Sequence, residues 1–396
     1  MPANVILVKD TTRALADLAR WHRSRFNVPV IGITGSCGKT TTKEMVRLVL
    51  GRDVVSSPAS FNNEIGVPLT LLQMDARTRA CVVEIGTNSR GEIATLSAIA
   101  KPTVGIVTNV EEAHLEGLGS VRGVMEEKSA LLRALPQDGA AIVNADNYWC
   151  REMMEEVNCH LITYGTWEDS DIYGLEPRST ADGIAFYLYG KMLFEVPALG
   201  LHNVANALAA IATGLWLGQG PLAVRDALTG YRAPPMRMAR EVLGEVVLVN
   251  DAYNANPRSM EAAIMELSQR PARGRRVAVL GEMLELGPDS ERHHRALGRK
   301  VANSGIDCLW AVGPSAAMVA EEAVKQGMSA GNVRHHPGVD EAVAEPAYEP
   351  VAGDSWLFKA SRGMRLERLL EHMRGLVPDA GGSAAYGTGR LRRAHE

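Results

Sequence analysis

The segment Val30–Met45, VIGITGSCGKTTTKEM, decides how the chain is read. Val30, Ile31 and Ile33 form a β-branched apolar run of the kind that builds a buried strand. A Gly35-Ser36-Cys37-Gly38 turn follows, and then Lys39, Thr40 and Thr41 open a helix-forming run. Strand, glycine turn and helix in that order make an anion cradle. Main-chain N–H groups from Gly35 to Lys39 face the ligand, and the helix N-terminus adds its positive dipole end. Lys39 is placed to reach terminal phosphates, and the Thr40 hydroxyl to hold Mg²⁺. The general phosphate-loop pattern has a glycine where this chain has Ile33, so the match is to the shorter form T-G-S-x-G-K-T. A glycine turn with no ligand is the plainer alternative. Gly-Lys-Thr set between a strand and a helix argues against it.

Outward from that loop, 396 residues leave room for about two or three domains. A hydrophobic fraction of 46% with 22% charged residues is that of a globular protein able to bury a full core. The net charge of −4 gives no electrostatic reason to expect nucleic acid or an anionic membrane as partner. Phosphate recognition then has to be local. The five cysteines are odd in number and contain no C-x-x-C pair, which points to reduced thiols rather than a disulfide framework or a zinc site. Cys37 reads as a small filler in the loop. There is no charged-then-apolar leader pattern and no apolar run of membrane-spanning length. The expectation is a cytoplasmic monomer with small-molecule substrates, no nucleic acid and no membrane insertion.

Along the chain, Ile6-Leu7-Val8 reads as an edge strand and Thr11–Phe26 as a helix. Ser56–Pro68 reads as a polar turn before a short apolar helix, TLLQM. Strands are expected at Ala80–Ile85, Thr103–Val107 and Ala140–Asn144, alternating with helices, which implies a parallel sheet with right-handed crossovers. Tyr148–Val196 has shorter alternating runs and suggests an antiparallel subsheet. Leu201–Leu217 reads as a long helix, and Ala233-Pro234-Pro235 as the linker. Beyond it, strands at Glu245–Asn250, Arg276–Leu280, Cys308–Val312 and Ser355–Lys359 form a second α/β unit. The fold class is therefore α/β: a central phosphate-loop domain with a parallel sheet and a Rossmann-like C-terminal domain. The divisions are a short segment over 1–26, the central domain over 27–233, the C-terminal domain over 234–378, and a disordered tail over 379–396.

Glu84 ends a buried strand, and ligands in open α/β sheets bind at the carboxyl ends of strands. It is a natural Mg²⁺ ligand, with a helix-capping carboxylate as the alternative. His114 follows the next strand onto the same edge, where it completes a second metal site or serves only structure. Lys128, by periodicity, is a solvated or salt-bridged helix lysine. Asn250–Asn254, NDAYN, follows a strand; its polar side chains suit a ribose or base, or else simply an Asx turn.

Together the segments TGSCGKTTTKEM, SFNNEIGVPLTLL, EIGTNSRGEI, NVEEAHLEGLGS, HNVANALAA, NDAYNANPRSM, LGEMLELG and FKASRGMRLE resemble the Mur ligase family, in the family's order, from about Val5 to about Leu376. The resemblance implies ATP-dependent amide ligation, ADP-forming, in the synthesis of peptidoglycan precursors. SFNNEIGVPLTLL and DAYNANP are most specific to the member that joins D-alanyl-D-alanine to a UDP-linked muramoyl-tripeptide. It implies that Gly35, Ser36, Cys37, Gly38, Lys39, Thr40 and Thr41 bind ATP phosphates, and that Thr40 with Glu84 holds one Mg²⁺. His114 would bind a second Mg²⁺, helped by Lys128 in carbamylated form. Asn206 and Asn254 match adenine-side positions, Asp251 the ribose carboxylate, and Arg237 an arginine near the phosphates. Ser60, Asn62 and Asn63 fall in the substrate loop; Lys359, Ser361 and Arg362 fall in the closing C-terminal domain.

The resemblance departs in one place. Members of this type carry a UDP-gripping domain ahead of the phosphate loop, and about thirty residues precede it here. A misplaced start, a partner that grips UDP, and a substrate without UDP remain open. A folylpolyglutamate-synthetase-type ligase on another carboxylate also lacks that domain, but usually has Gly-Ser after the loop lysine, where this chain has Thr40-Thr41. A nucleotide-binding regulator without turnover would lack metal positions, and Glu84, His114 and Lys128 are all present. A general phosphate-loop kinase or GTPase would act without any added amine.

Overall fold

The computed structural model describes residues 6–270 and 273–377. Its first sheet begins with β1 (Val30–Thr34), β2 (Val54–Ser56), β3 (Ala80–Glu84), β4 (Val104–Val107), β5 (Ala140–Asn144) and β6 (His160–Gly165). It continues through β7 (Ile172–Ser179), β8 (Ile184–Leu188) and β9 (Met192–Val196). The order is β2-β3-β1-β4-β5-β6-β7-β8-β9, parallel as far as the β6–β7 pairing and antiparallel from β7 to β9. Every residue of β1, β3, β4 and β5 is buried, which is why these strands read as continuous apolar runs rather than alternating ones. Ile33 pairs with Glu84 and Thr34 with Val107, so the phosphate loop, Glu84 and the loop after β4 leave the sheet at one edge.

The second sheet holds β10 (Ala239–Leu243), β11 (Val246–Asn250), β12 (Arg276–Gly281), β13 (Cys308–Val312), β14 (Val333–His336) and β15 (Ser355–Lys359). Its order is β10-β11-β15-β12-β13-β14, parallel except for the β10–β11 hairpin. Helices cover both sheets. In the first unit, Val204, Ala207, Leu208 and Ile211 of helix Asn203–Trp216 share a core with Ile31, Ile33, Phe186 and Phe194. In the second, Trp310, Trp356 and Phe358 are fully buried together. Among the described residues, no helix is long and apolar enough to cross a membrane.

The α/β class and the expected core strands hold, and three expectations do not. Ile6 and Leu7 form no strand and are 88% and 95% exposed. The short helix is Gly66–Leu71, earlier than TLLQM. Asn63 Oδ1 accepts from the amides of Ile65 and Gly66, and Pro68 sits in the first turn, where no N–H is needed. Tyr148–Val196 is antiparallel only from β7 onward; before it lie helix Tyr148–Met153 and the parallel strand β6. The expected tail lies outside the described residues.

Candidate active site

A cavity of about 1230 Å³ lies where the carboxyl edge of the first sheet meets the second unit. The phosphate loop forms its floor from Ser36 to Thr41. The loop is held open from behind. Ser36 N donates to Asn109 O at 3.0 Å and Cys37 N to Asn109 Oδ1 at 2.9 Å, so these two amides are taken by the loop after β4 instead of facing a ligand as expected, and Thr108 Oγ1 donates to Cys37 O. A Cβ at Gly35 would lie 1.8 Å from Thr108 Oγ1, and one at Gly38, where φ is 83°, would lie 2.4 Å from Asn206 Oδ1. Both glycines are therefore required by close approach, and at Gly38 by backbone conformation as well. Gly38 caps helix Lys39–Leu50 without any side-chain bond, so the amides of its first turn remain open to an anion.

Lys39 reaches back to donate to Gly35 O at 2.6 Å. Burial lowers its pKa, with Glu84 and Cys37 acting in the opposite direction. Thr40 Oγ1 donates to Glu84 Oε2 at 3.1 Å and lies 3.3 Å from Ser60 Oγ, which in turn accepts from Arg237 Nη2 at 3.1 Å. The Arg237 guanidinium stacks over Tyr253 with 4.0 Å to the ring centroid, so the second unit sets its direction. Glu84 is fully buried, and its Oε1 accepts no hydrogen bond. A buried carboxylate oxygen with free lone pairs beside a threonine hydroxyl fits a magnesium ion. That ion needs only one or two protein carboxylates, and phosphate and water oxygens complete its shell. Among the described residues no three His, Cys, Asp or Glu side chains converge into a closed cage.

His114 lines the cavity, with φ at 53° and Nδ1 2.8 Å from Glu285 Oε2. Burial and the nearby positive charge of Lys39 lower its pKa; Glu285 opposes them. Lys128 lies on the buried face of helix Val121–Arg133, 2% exposed, rather than in solvent. Burial, reinforced by Lys39, brings its pKa down to about 7. Its neighbour Glu127 is also buried and takes the amides of Gly91 and Ile93 at 2.7 and 2.8 Å, fixing the start of helix Glu92–Ala100.

The remaining expected residues divide. Asn206 is 5% exposed behind the loop, tied to Thr42 and Asn203, and lines the cavity only from beneath. Asp251 binds the buried ammonium of Lys359 at 2.6 Å and the amide of Met238 at 3.0 Å. Asn254 lines the same wall, its backbone oxygen also held by Lys359. Asn62 reaches the cavity, whereas Asn63 caps helix Gly66–Leu71 as well as lining it. Ser361 accepts from Leu284 N and donates to Ala255 O, and Arg362 pairs with Glu367; neither lines the cavity. Lys43 was not singled out by sequence. It is fully buried and donates to Ser57 O and Ala59 O at 2.6 and 2.8 Å. Its Nζ also lies 3.1 Å from Glu44 and 3.5 Å from Glu84. A basic residue four places into a helix gives no sign of this.

A glycine turn with its lysine at a helix start, a buried carboxylate behind a threonine hydroxyl, and a second α/β unit on the same cavity are the features of a phosphate-loop enzyme. The particular family follows from the chain as a whole. Residues 33–214 match the Mur ligase middle domain and residues 236–362 the Mur ligase, glutamate ligase domain. The chain belongs to the Mur ligase family. It is 37% identical over 93% of its length to the UDP-N-acetylmuramoyl-tripeptide–D-alanyl-D-alanine ligase of Bacillus subtilis, covering 81% of that protein. Its fold is similar to the crystal structure of MurF from Acinetobacter baumannii, with TM-score 0.84, 29% identity, and coverage of 95% of this chain and 84% of that one. It is also similar to MurF ligase from Thermotoga maritima in complex with ADP, with TM-score 0.81, 27% identity, and coverage of 94% and 86%.

Proposed function

We propose that the chain is an ATP-dependent, ADP-forming peptide ligase that adds D-alanyl-D-alanine to UDP-N-acetylmuramoyl-tripeptide. The observation that carries the reading is the 3.1 Å bond from Thr40 to the buried, half-satisfied Glu84 directly under the phosphate cradle. That arrangement suits a metal-bound triphosphate. The names of the relatives carry the choice of acid and amine.

The open amides at the start of helix Lys39–Leu50 and Lys39 bind and orient the triphosphate, with Lys39 leaving Gly35 O for a phosphate oxygen. Magnesium, held by Thr40 and Glu84 and at a second position by His114 and a carbamylated Lys128, would neutralise phosphate oxygens when bound. Lys128 suits that role because its burial favours the neutral amine, the form able to combine with carbon dioxide. Arg237, aimed by Tyr253, places a cation beside Ser60 at the mouth of the loop. The substrate carboxylate attacks the γ-phosphorus, ADP leaves, and the amine then displaces phosphate from the acyl phosphate through a tetrahedral intermediate. Positioning and charge neutralisation are the protein's share of that chemistry. Residues 234–378, read as the C-terminal domain, would cover the cavity and keep water from the acyl phosphate. The test is phosphate release from the purified chain with acid and amine omitted in turn.

A further inference from the structure

The loop after β4 is tied to the second unit at two points. Glu112 accepts from Arg292 Nη2 at 3.3 Å and lies 3.4 Å from His293 Nε2. His114 Nδ1 lies 2.8 Å from Glu285 Oε2. An ion pair on a surface is usually of little consequence, but this one has a feature that an incidental pair does not need. Both residues are in left-handed backbone, φ 53° at His114 and φ 63° at Glu285. Neither is glycine, and such conformations persist only where the surroundings over-determine them.

Both backbones are in fact pinned. His114 O accepts from the amides of Gly117 and Leu118 at 3.1 and 3.0 Å. On the other side, Met283 N donates to His294 Nε2 at 3.2 Å, Leu284 N donates to Ser361 Oγ at 2.9 Å, and the Met283 and Leu286 side chains are buried. The two short loops thus aim an imidazole and a carboxylate at each other across the boundary between the units. With Nδ1–H donated to Glu285, the ring keeps its Nε2 lone pair, and His114 lines the cavity.

We propose that Glu285 is the positioning residue of His114, fixing its ring in the Nδ1–H form across the unit boundary, so that the second cation site is completed only when the two units close. This rests on reading His114 as a cation ligand. Glu285 itself does not line the cavity.

The full chain, labelled with ¹⁵N-histidine and free of metal, reports the ring form directly. At pH 8 the wild type is expected to show His114 as Nδ1–H and Glu285→Ala as the Nε2–H form that a free imidazole prefers. Glu285→Gln, whose amide oxygen still accepts, retains Nδ1–H. Identical His114 spectra in the wild type and Glu285→Ala would overturn the proposal. With a non-hydrolysable ATP analogue, Mn²⁺ binding followed by electron paramagnetic resonance should weaken about 10- to 100-fold at one of two sites in Glu285→Ala. Unweakened binding of both ions contradicts the coupling. His114→Ala separates the two ideas: two ions still bound there removes the ligand reading of His114, while the tautomer result still judges the pair. The Glu285 side chain is 57% exposed, so Glu285→Ala and Glu285→Gln should unfold close to the wild-type midpoint.

Discussion

Asn256 Nδ2 lies 3.0 Å from the Cys37 sulfur, which joins the phosphate loop of the first unit to a helix N-terminus of the second. The same side chain caps helix Pro257–Gln269: its Oδ1 accepts from Ser259 N at 2.8 Å, and Ser259 Oγ accepts from Asn256 N at 3.0 Å. One asparagine therefore sets both where that helix starts and what the loop touches.

Asn256→Ala should lose about 1 kcal/mol of stability from the missing cap. Iodoacetamide should also alkylate Cys37 faster once its amide neighbour is gone. Urea denaturation and timed thiol labelling measure the two effects. An unchanged alkylation rate would mean that the contact does not shield the loop.

Glu84→Gln keeps the shape of the side chain but removes the charge proposed to face magnesium. Phosphate release should fall by at least ~100-fold, equivalent to about 3 kcal/mol of transition-state stabilisation. The magnesium concentration for half-maximal rate should rise. A full rate at ordinary magnesium concentration would exclude Glu84 as a ligand.

Lys128 gives a pH dependence with a definite sign. Its pKa is about 7 in the folded chain and 10.5 for an ordinary lysine. Between those values the unfolded chain binds the extra proton, so this residue makes stability rise as pH rises from about 7 to 10.5. Lys128→Met should be more stable at pH 7 than the wild type and should lose that part of the slope, as measured by denaturation across the range. Lys128→Ala should abolish ligation, with partial rescue by a short carboxylate; unchanged activity would remove the carbamate role.

Lys43 is the most enclosed cation near the site. Lys43→Met leaves the fully buried Glu84 without its ammonium neighbour and frees the Ser57 and Ala59 carbonyls. Breaking such a pair from one side costs about 3–5 kcal/mol. Chemical denaturation should show a loss of that order, larger than at any exposed lysine.

What the sequence discloses follows from how local each signal is. That Lys39 and Thr40 follow β1 and that Glu84 ends β3 was legible because each position is adjacent in the chain to its own apolar strand. Lys128 reads by periodicity as solvated or salt-bridged, because the apolar face read from the sequence runs through Val124, Leu131, Leu132 and Leu135; only packing shows that the lysine is buried and that Glu127 holds the start of another helix. The helix at Gly66 was hidden by its own glycine and proline, which read as a turn until Asn63 is seen capping it. Glu285 and His114 are 171 residues apart, so no spacing rule could join them. Lys359 and Asp251 are likewise joined only by β11 and β15 pairing as neighbours.

The most direct measurement is phosphate release from the purified chain with ATP, magnesium, UDP-N-acetylmuramoyl-tripeptide and D-alanyl-D-alanine, each left out in turn. A ligase working through an acyl phosphate turns over steadily only when the acid and the amine are both present. Steady phosphate release from ATP with neither, or from the acid with no amine, would contradict it.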